Sequence, residues 1–471
     1  MSGASTKLSF GEKFGYGLGD LAANLVFQTV MALQMIFYTD TFGLSTTQAG
    51  TMILFVGLGA ACLNPVMGVI ADRTKTRWGR FRPWLLWTAV PFAVIVVLTF
   101  TTPNLSPSAK LIYAWVTYLL LRVVYTMNNV PYASLTGVMT DDPGERNSIT
   151  WYRQLFANGA GFIVQSLAIP LVAILGNHND ARGFQRTMGL FAIISAVLFV
   201  IAFAVSKERI EPDPQQKTSV MLDLGDLLKN GPWIALFVLT NFYFAALAIR
   251  GSMMMPYFKY CSGNEFLFSW FNGFGLTALI VGVACSTALT KRIDKRTLFI
   301  WSMALTGILA IVLFFQSATN TVFYQLSFLN HVLHIPFGWV IVTEILRQFV
   351  FGCSGPILWA MMADVADYGE WKTGRRATGT VISAVVFALW TGLALGGAIA
   401  PWLEGYFGYQ ANVAQTDHAL FGIRFIASAV AGAAFLGVAV SLLFYPIDKN
   451  LNLTISNELA ERRKGFSSSA S

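Results

Sequence analysis

The feature that most limits how this chain can fold is a series of apolar runs, each of about 20 residues, the length an α-helix needs to cross about 30 Å of hydrocarbon. Twelve can be placed, at 16–39, 49–71, 84–102, 109–137, 151–176, 187–206, 231–258, 266–290, 297–317, 335–366, 377–401 and 420–446. A backbone inside lipid must satisfy its own hydrogen bonds, so each run is expected to be helical, which makes an all-α membrane protein with twelve transmembrane helices. The stretch 321–337 is apolar but broken by His331, His334 and Pro336. It is expected to be an external loop or a re-entrant piece.

Composition agrees. The chain of 471 residues is 55% hydrophobic and 12% charged, against about 25% charged in soluble domains. The outer surface must therefore face membrane lipid. A net charge of +8 could signal nucleic acid, but the basic residues sit in short loops. About 23 of the 32 Lys and Arg fall on the side that holds both termini and about 5 on the other, which places the termini in the cytoplasm. The four cysteines, Cys62, Cys261, Cys285 and Cys353, have no motif spacing and read as buried free thiols. The polar N-terminus has no cleavable-signal pattern, so the first helix is expected to act as a retained anchor.

The longest polar segment divides the chain into six helices plus six: a bundle at 1–206, a cytoplasmic linker at 207–230, a second bundle at 231–446 and a cytoplasmic tail at 447–471. Basic turns at Asp72–Arg82 and Lys291–Arg296 occupy the same place in each half. Two six-helix bundles around a cavity that opens to each side in turn are the major facilitator architecture. The basic turns are either topology signals or partners of acidic helix ends at an inner gate.

A charge inside a membrane helix costs a few kcal/mol or more and should face a cavity or a partner. Asp20, Asn24 and Gln28 form one stripe on the first helix, suited to accept hydrogen bonds from substrate hydroxyls. Arg122, Tyr125 and Asn129 form another on the fourth, where Asn128 and Asn129 precede Pro131; an amide pair suits a sugar or glues helices together. Arg153 opens the fifth helix, either snorkelling or reaching Asp20. Arg250 is an outer anchor or a substrate contact. Glu344 and Arg347, three apart, are expected to pair, as a structural bridge or a coupling switch. Asp364, Asp367 and Glu370 make a charged helix end or an inner gate. Trp359, Trp390 or Tyr125 could stack on a sugar ring. The four histidines fall in outer loops or their edges, so no metal cluster or cofactor is expected, and no phosphate-binding loop is present. Nothing carries an enzyme signature.

Several segments resemble the glycoside–pentoside–hexuronide:cation symporter family, which includes the melibiose permease: Lys7–Asp20, Tyr38–Asp40, Asn64–Gly68, Arg77–Pro83 and Ala363–Trp371. They span both halves in the family's order. The resemblance implies cation-coupled sugar or glycoside transport, with Asp20 and Arg153 matching the family's sugar-binding carboxylate and arginine. Departures stand out. The two helix-two carboxylates of the family's cation site look like Ala60 and Asn64 here, the helix-four carboxylate like Asn129, and a helix-eleven lysine like Trp390. The cation site is degenerate, which disfavours sodium. A proton route through Asp20 or Glu344, uncoupled sugar uniport, and a lipid or amphiphile cargo on the same fold are the alternatives. An excess of intramembrane arginines suits an anionic sugar such as a hexuronide. The expected form is a monomer in the bacterial inner membrane.

Overall fold

The computed structural model describes residues 7–140, 143–209, 230–316, 322–328, 331–373, 378–455 and 457–459. Twelve helices are long and apolar enough to span a membrane: α1 (Phe10–Thr41), α2 (Thr46–Arg73), α3 (Arg82–Thr99), α4 (Pro107–Met139), α5 (Ser148–Gly176), α6 (Asp180–Val205), α7 (Gly231–Ser262), α8 (Phe266–Arg292), α9 (Lys295–Phe315), α10 (Trp339–Lys372), α11 (Val385–Tyr406) and α12 (Asp417–Leu443). Local chemistry sets several starts. Ser9 with Glu12 and Ser45 with Gln48 form capping boxes at α1 and α2, and Pro107 opens α4, where its missing N–H costs nothing.

The packing repeats with a shift of six helices. α1 lies on α5 and α6, α3 on α4 and α6, and α2 on α4. In the same way α7 lies on α11 and α12, α9 on α10 and α12, and α8 on α10. The two six-helix bundles meet through α2–α11, α5–α8 and α1–α7, a set that the same shift maps onto itself. Small residues let these helices touch: a Cβ on Gly57 would lie 2.7 Å from Ala394, and one on Gly405 2.8 Å from the Thr46 hydroxyl. These contacts lie toward the face away from the termini.

Three π-helical turns interrupt the spans: Phe37–Thr41 ends α1, Tyr257–Ser262 ends α7, and Ile426–Val430 lies within α12. The first two occupy equivalent places in the two bundles. Such turns often mark functional positions.

Several sequence expectations need correction. The stretch expected as an external loop or re-entrant piece is non-helical among its described residues and connects α9 to α10, but within it β1 (Val322–Phe328) and β2 (His331–Phe337) form an antiparallel hairpin that was not foreseen, in the register Leu326↔Leu333. α11 runs beyond the expected end at Pro401 to Tyr406, because a proline near a helix end is tolerated when neighbouring groups satisfy the freed carbonyl. Of the cysteines only Cys353 is buried. Cys62 is exposed and the other two are half-buried, since apolar residues of a membrane helix also face lipid. The linker lies largely outside the described residues, at 210–229, as does the tail from 460 onward.

The basic turn between α2 and α3 is held by Glu208, which follows α6. Its carboxylate accepts the backbone N–H groups of Arg80, Phe81 and Arg82, each at 2.8 Å. Glu208→Ala leaves those donors without their charged acceptor, a loss of about 2 kcal/mol. A lowered thermal-unfolding midpoint in detergent is expected; an unchanged midpoint would mean that water replaces the carboxylate at no cost.

Candidate substrate cavity and its charged walls

The polar stripe of α1 begins at Asp20, which is 7% exposed. Arg153 on α5 binds it through Nε (2.6 Å to Oδ2) and Nη2 (3.4 Å to Oδ1). The Tyr132 hydroxyl lies 3.0 Å from Oδ2 and 2.6 Å from the Tyr16 carbonyl. Tyr16 in turn donates to the Tyr132 carbonyl. Arg153 also donates to Thr136 (3.0 Å), and its guanidinium lies 5.0 Å from the Tyr132 ring centroid. Three helices thus lock one carboxylate. Asn24 turns its amide back to the Asp20 carbonyl (2.9 Å).

Seven residues farther along α1, about 10 Å of helix, Phe27 enters an aromatic wall. It stacks on Tyr125 at 6.1 Å and meets Trp390 edge-on at 6.0 Å; Tyr125 and Trp390 are 6.2 Å apart. The Arg122 guanidinium lies 4.5 Å from the Trp390 ring centroid, a cation–π contact between the bundles. The adjoining cavity is small in this state, about 50 Å³, and is lined by α1, α2, α4, α7 and α11. Two of its lining donors, Arg122 Nε and Gln34 Nε2, are buried without a partner among the described residues. Among the described residues no carboxylate lines it. The wall presents donors and aromatic faces, which suits oxygen-rich ligands and repels cations.

In the second bundle, Glu344 is gripped by two arginines. Arg347 reaches it at 2.5 and 2.8 Å, and Arg250 on α7 at 2.5 Å. Arg250 also donates to the carbonyl of Ala427, in the π turn of α12, at 3.2 Å. All three residues are buried at 5% exposure or less. Arg250 therefore joins the Glu344–Arg347 pair and is neither an interfacial anchor nor part of the cavity lining.

The remaining candidates are dispersed. Asn128 donates to Thr88 at 2.7 Å, tying α4 to α3. Asn129 is half-buried, as is Asn64, and Ala60 is buried. Among the described residues no group of His, Cys, Asp or Glu could hold a metal ion. Trp359 is 54% exposed. Asp364 pairs with Lys295 at 3.0 Å, and Asp367 is half-buried.

Sequence reasoning missed Tyr16, Tyr132 and Phe27, although all lie within a few turns of a polar stripe. It also missed a knot at the face away from the termini, where the π turns end. There Asp40 binds Lys259 (2.7 Å), Tyr409 (2.5 Å) and Tyr260, while the Asn412 amide holds the Asp40 carbonyl. Burial, with the nearby Asp40 charge, raises Tyr409 above the usual phenol range and keeps it a neutral donor. The knot joins α1, α7 and the loop after α11, so it ties the bundles shut at that end.

Twelve spanning helices in two bundles, closed at one end around a central cavity, define a secondary transporter of the major facilitator class. The fold matches a solved D-xylose-proton symporter with a TM-score of 0.62 at 12% identity, over 93% of this chain and 97% of that one. A family model described as MFS/sugar transport protein matches residues 15–449, and the chain belongs to that family. It is 36% identical to the inner membrane symporter YicJ of Escherichia coli over 98% of this chain and 97% of that protein. It is 34% identical to the isoprimeverose transporter of Lactiplantibacillus pentosus, covering 93% and 89%.

Proposed function

We propose that this chain carries a glycoside across the bacterial inner membrane by alternating access, with both termini cytoplasmic. The observation that carries this reading is the cavity wall of Phe27 and Trp390, with Tyr125 packed against both, beside an Arg122 whose Nε has no hydrogen-bond partner among the described residues. Sugar rings stack on aromatic faces, and hydroxyls take the free donors. Asp20 and Arg153, two turns nearer the termini, would bind a second ring. Relatives named as glycoside/cation symporter and isoprimeverose transporter support this cargo, and the buried polar donors favour it over a lipid. The Asp40 ties hold the bundles together at the face away from the termini, which supports an inward-facing state.

Ala60 and Asn64 offer no carboxylate, and Arg122 places a positive charge on the cavity wall. Sodium therefore gains little there. In proteoliposomes, uptake should be indifferent to a sodium gradient, and accumulation should follow a proton gradient. Sodium-driven accumulation would overturn this reading; equilibration unchanged by either gradient would make the chain a uniporter. A hexuronide is the second reading, favoured by Arg122, whose guanidinium fork fits a carboxylate. Competition between neutral xylosides and glucuronides separates the two.

Trp390→Ala is expected to weaken glycoside binding about tenfold, the loss of one stacked ring contact together with the Arg122 contact. Trp390→Phe should recover part of it. Equal affinities for the parent and the Ala variant, measured by calorimetry in detergent, would remove Trp390 from the site.

A further inference from the structure

Glu404 lies in the last turn of α11, at the closed end of the bundle. It is 1% exposed, and neither carboxylate oxygen has a hydrogen-bond donor among the described residues. A buried carboxylate without donors is strongly disfavoured in its ionised form. The C-terminal end of a helix, itself the negative pole, adds to the penalty. So does the Asp40 carboxylate on α1, which is held by the Tyr409 hydroxyl, while the Tyr409 N–H donates to the Glu404 carbonyl at 3.1 Å. The surrounding groups offer no relief. From α7, Lys259 is already bonded to Asp40 (2.7 Å) and Asn412 (3.1 Å), and Tyr260 is bonded to Asp40. Tyr409 donates to Asp40. α2 presents the hydroxyls of Thr46 and Thr47 against the neighbouring Gly405. His418, at the head of α12, is exposed and sits on the Phe407 carbonyl. One cation offsets one anion, and no charge remains for Glu404.

We infer that Glu404 is a proton-binding site built into the outer gate, neutral when the gate is closed and ionised when α11 parts from α1 and α2. The inference rests on the alternating-access reading above. The proton balance is simple. In the open gate Glu404 is an anion in external water. On closing it takes one proton from that water, and on opening it returns the proton to the same side. No net proton crosses the membrane at this site. External acid therefore favours the closed outer gate, and external alkali favours the open one. Glu265, in the short turn between α7 and α8, is the competing candidate: burial raises its carboxyl while Lys259 pulls it back down. It is half-buried and so already within reach of water in the closed gate.

The test needs no sugar. Spin labels at Leu105→Cys and Val413→Cys, both exposed at this end, are placed in a cysteine-free background in nanodiscs. Their separation is followed from about pH 5 to about pH 9, a range wide enough for a buried carboxyl. In the parent, the closed-to-open ratio is expected to fall with rising pH, by up to about tenfold per unit through the transition, the limit for one linked proton. Glu404→Gln should stay closed and vary less than about twofold. Glu404→Asp, which keeps the acid, should keep the titration, as should Glu265→Gln. A parent distance unchanged across the range, a Glu404→Gln variant that titrates like the parent, or a profile flattened by Glu265→Gln would each overturn the proposal. If no glycoside is transported in a separate counterflow assay, the cargo reading fails, but the gate titration is still measured independently.

Discussion

Glu344→Ala is expected to remove most of the folded protein. The carboxylate is the shared acceptor of Arg250 and Arg347 inside the second bundle, with all three residues buried at 5% exposure or less. Its loss leaves two guanidinium groups facing each other without a counter-charge, where breaking one buried pair already costs about 3–5 kcal/mol. Yield of monodisperse protein in mild detergent is the direct measure. The apolar triple variant Arg250→Met, Glu344→Met and Arg347→Met should restore much of that yield, because removing all three charges also removes the desolvation they require. If Glu344→Ala alone is recovered at the parent level, the triad holds nothing together, and its charges are solvated in a way these distances do not reveal.

Asp20→Asn is expected to lower glycoside counterflow at least about a hundredfold with the fold intact. A difference of that size corresponds to about 2.7 kcal/mol, within reach of replacing a charge-assisted acceptor that holds both Arg153 and Tyr132. The amide keeps the shape but points a donor at a guanidinium, so Arg153 is freed to leave the position from which it would meet a ligand hydroxyl. Counterflow normalised to protein in the bilayer decides the matter. Transport within about threefold of the parent would reduce the pair to packing.

The same residues show what could be foreseen. Asp20, Asn24 and Gln28 announce a helix face because their spacing follows the helical period, and a carboxylate in an apolar run requires a partner; Arg153, near the start of the fifth helix, was one residue able to serve. Glu344 and Arg347 were legible as a pair for the same reason. Arg250 was not legible as their third member, since only the packing of α7 against α10 and α12 brings it there. Arg122 and Trp390 belong to different bundles, and no spacing along the chain could have joined them. Asp40 and Lys259 sit at helix ends, where charges ordinarily meet water, so although Asp40 closes a segment of family resemblance, nothing in the sequence paired the two. Glu404 lies beyond Pro401, where a helix pattern in the sequence ordinarily stops, so the helical period does not place it.

By itself, the sequence determined that the chain spans a membrane twelve times, that its halves repeat and that its oxygen-rich or charged residues need internal partners. Those conclusions follow from the transfer cost of polar groups into lipid, which acts on each residue according to its type and its place along one helix. Tertiary structure alone decided which partners they found, which face of the bundle is tied shut and which carboxylate is left without a donor. Contacts between helices depend on how the two bundles pack, and packing joins residues hundreds of positions apart with no trace in their local pattern.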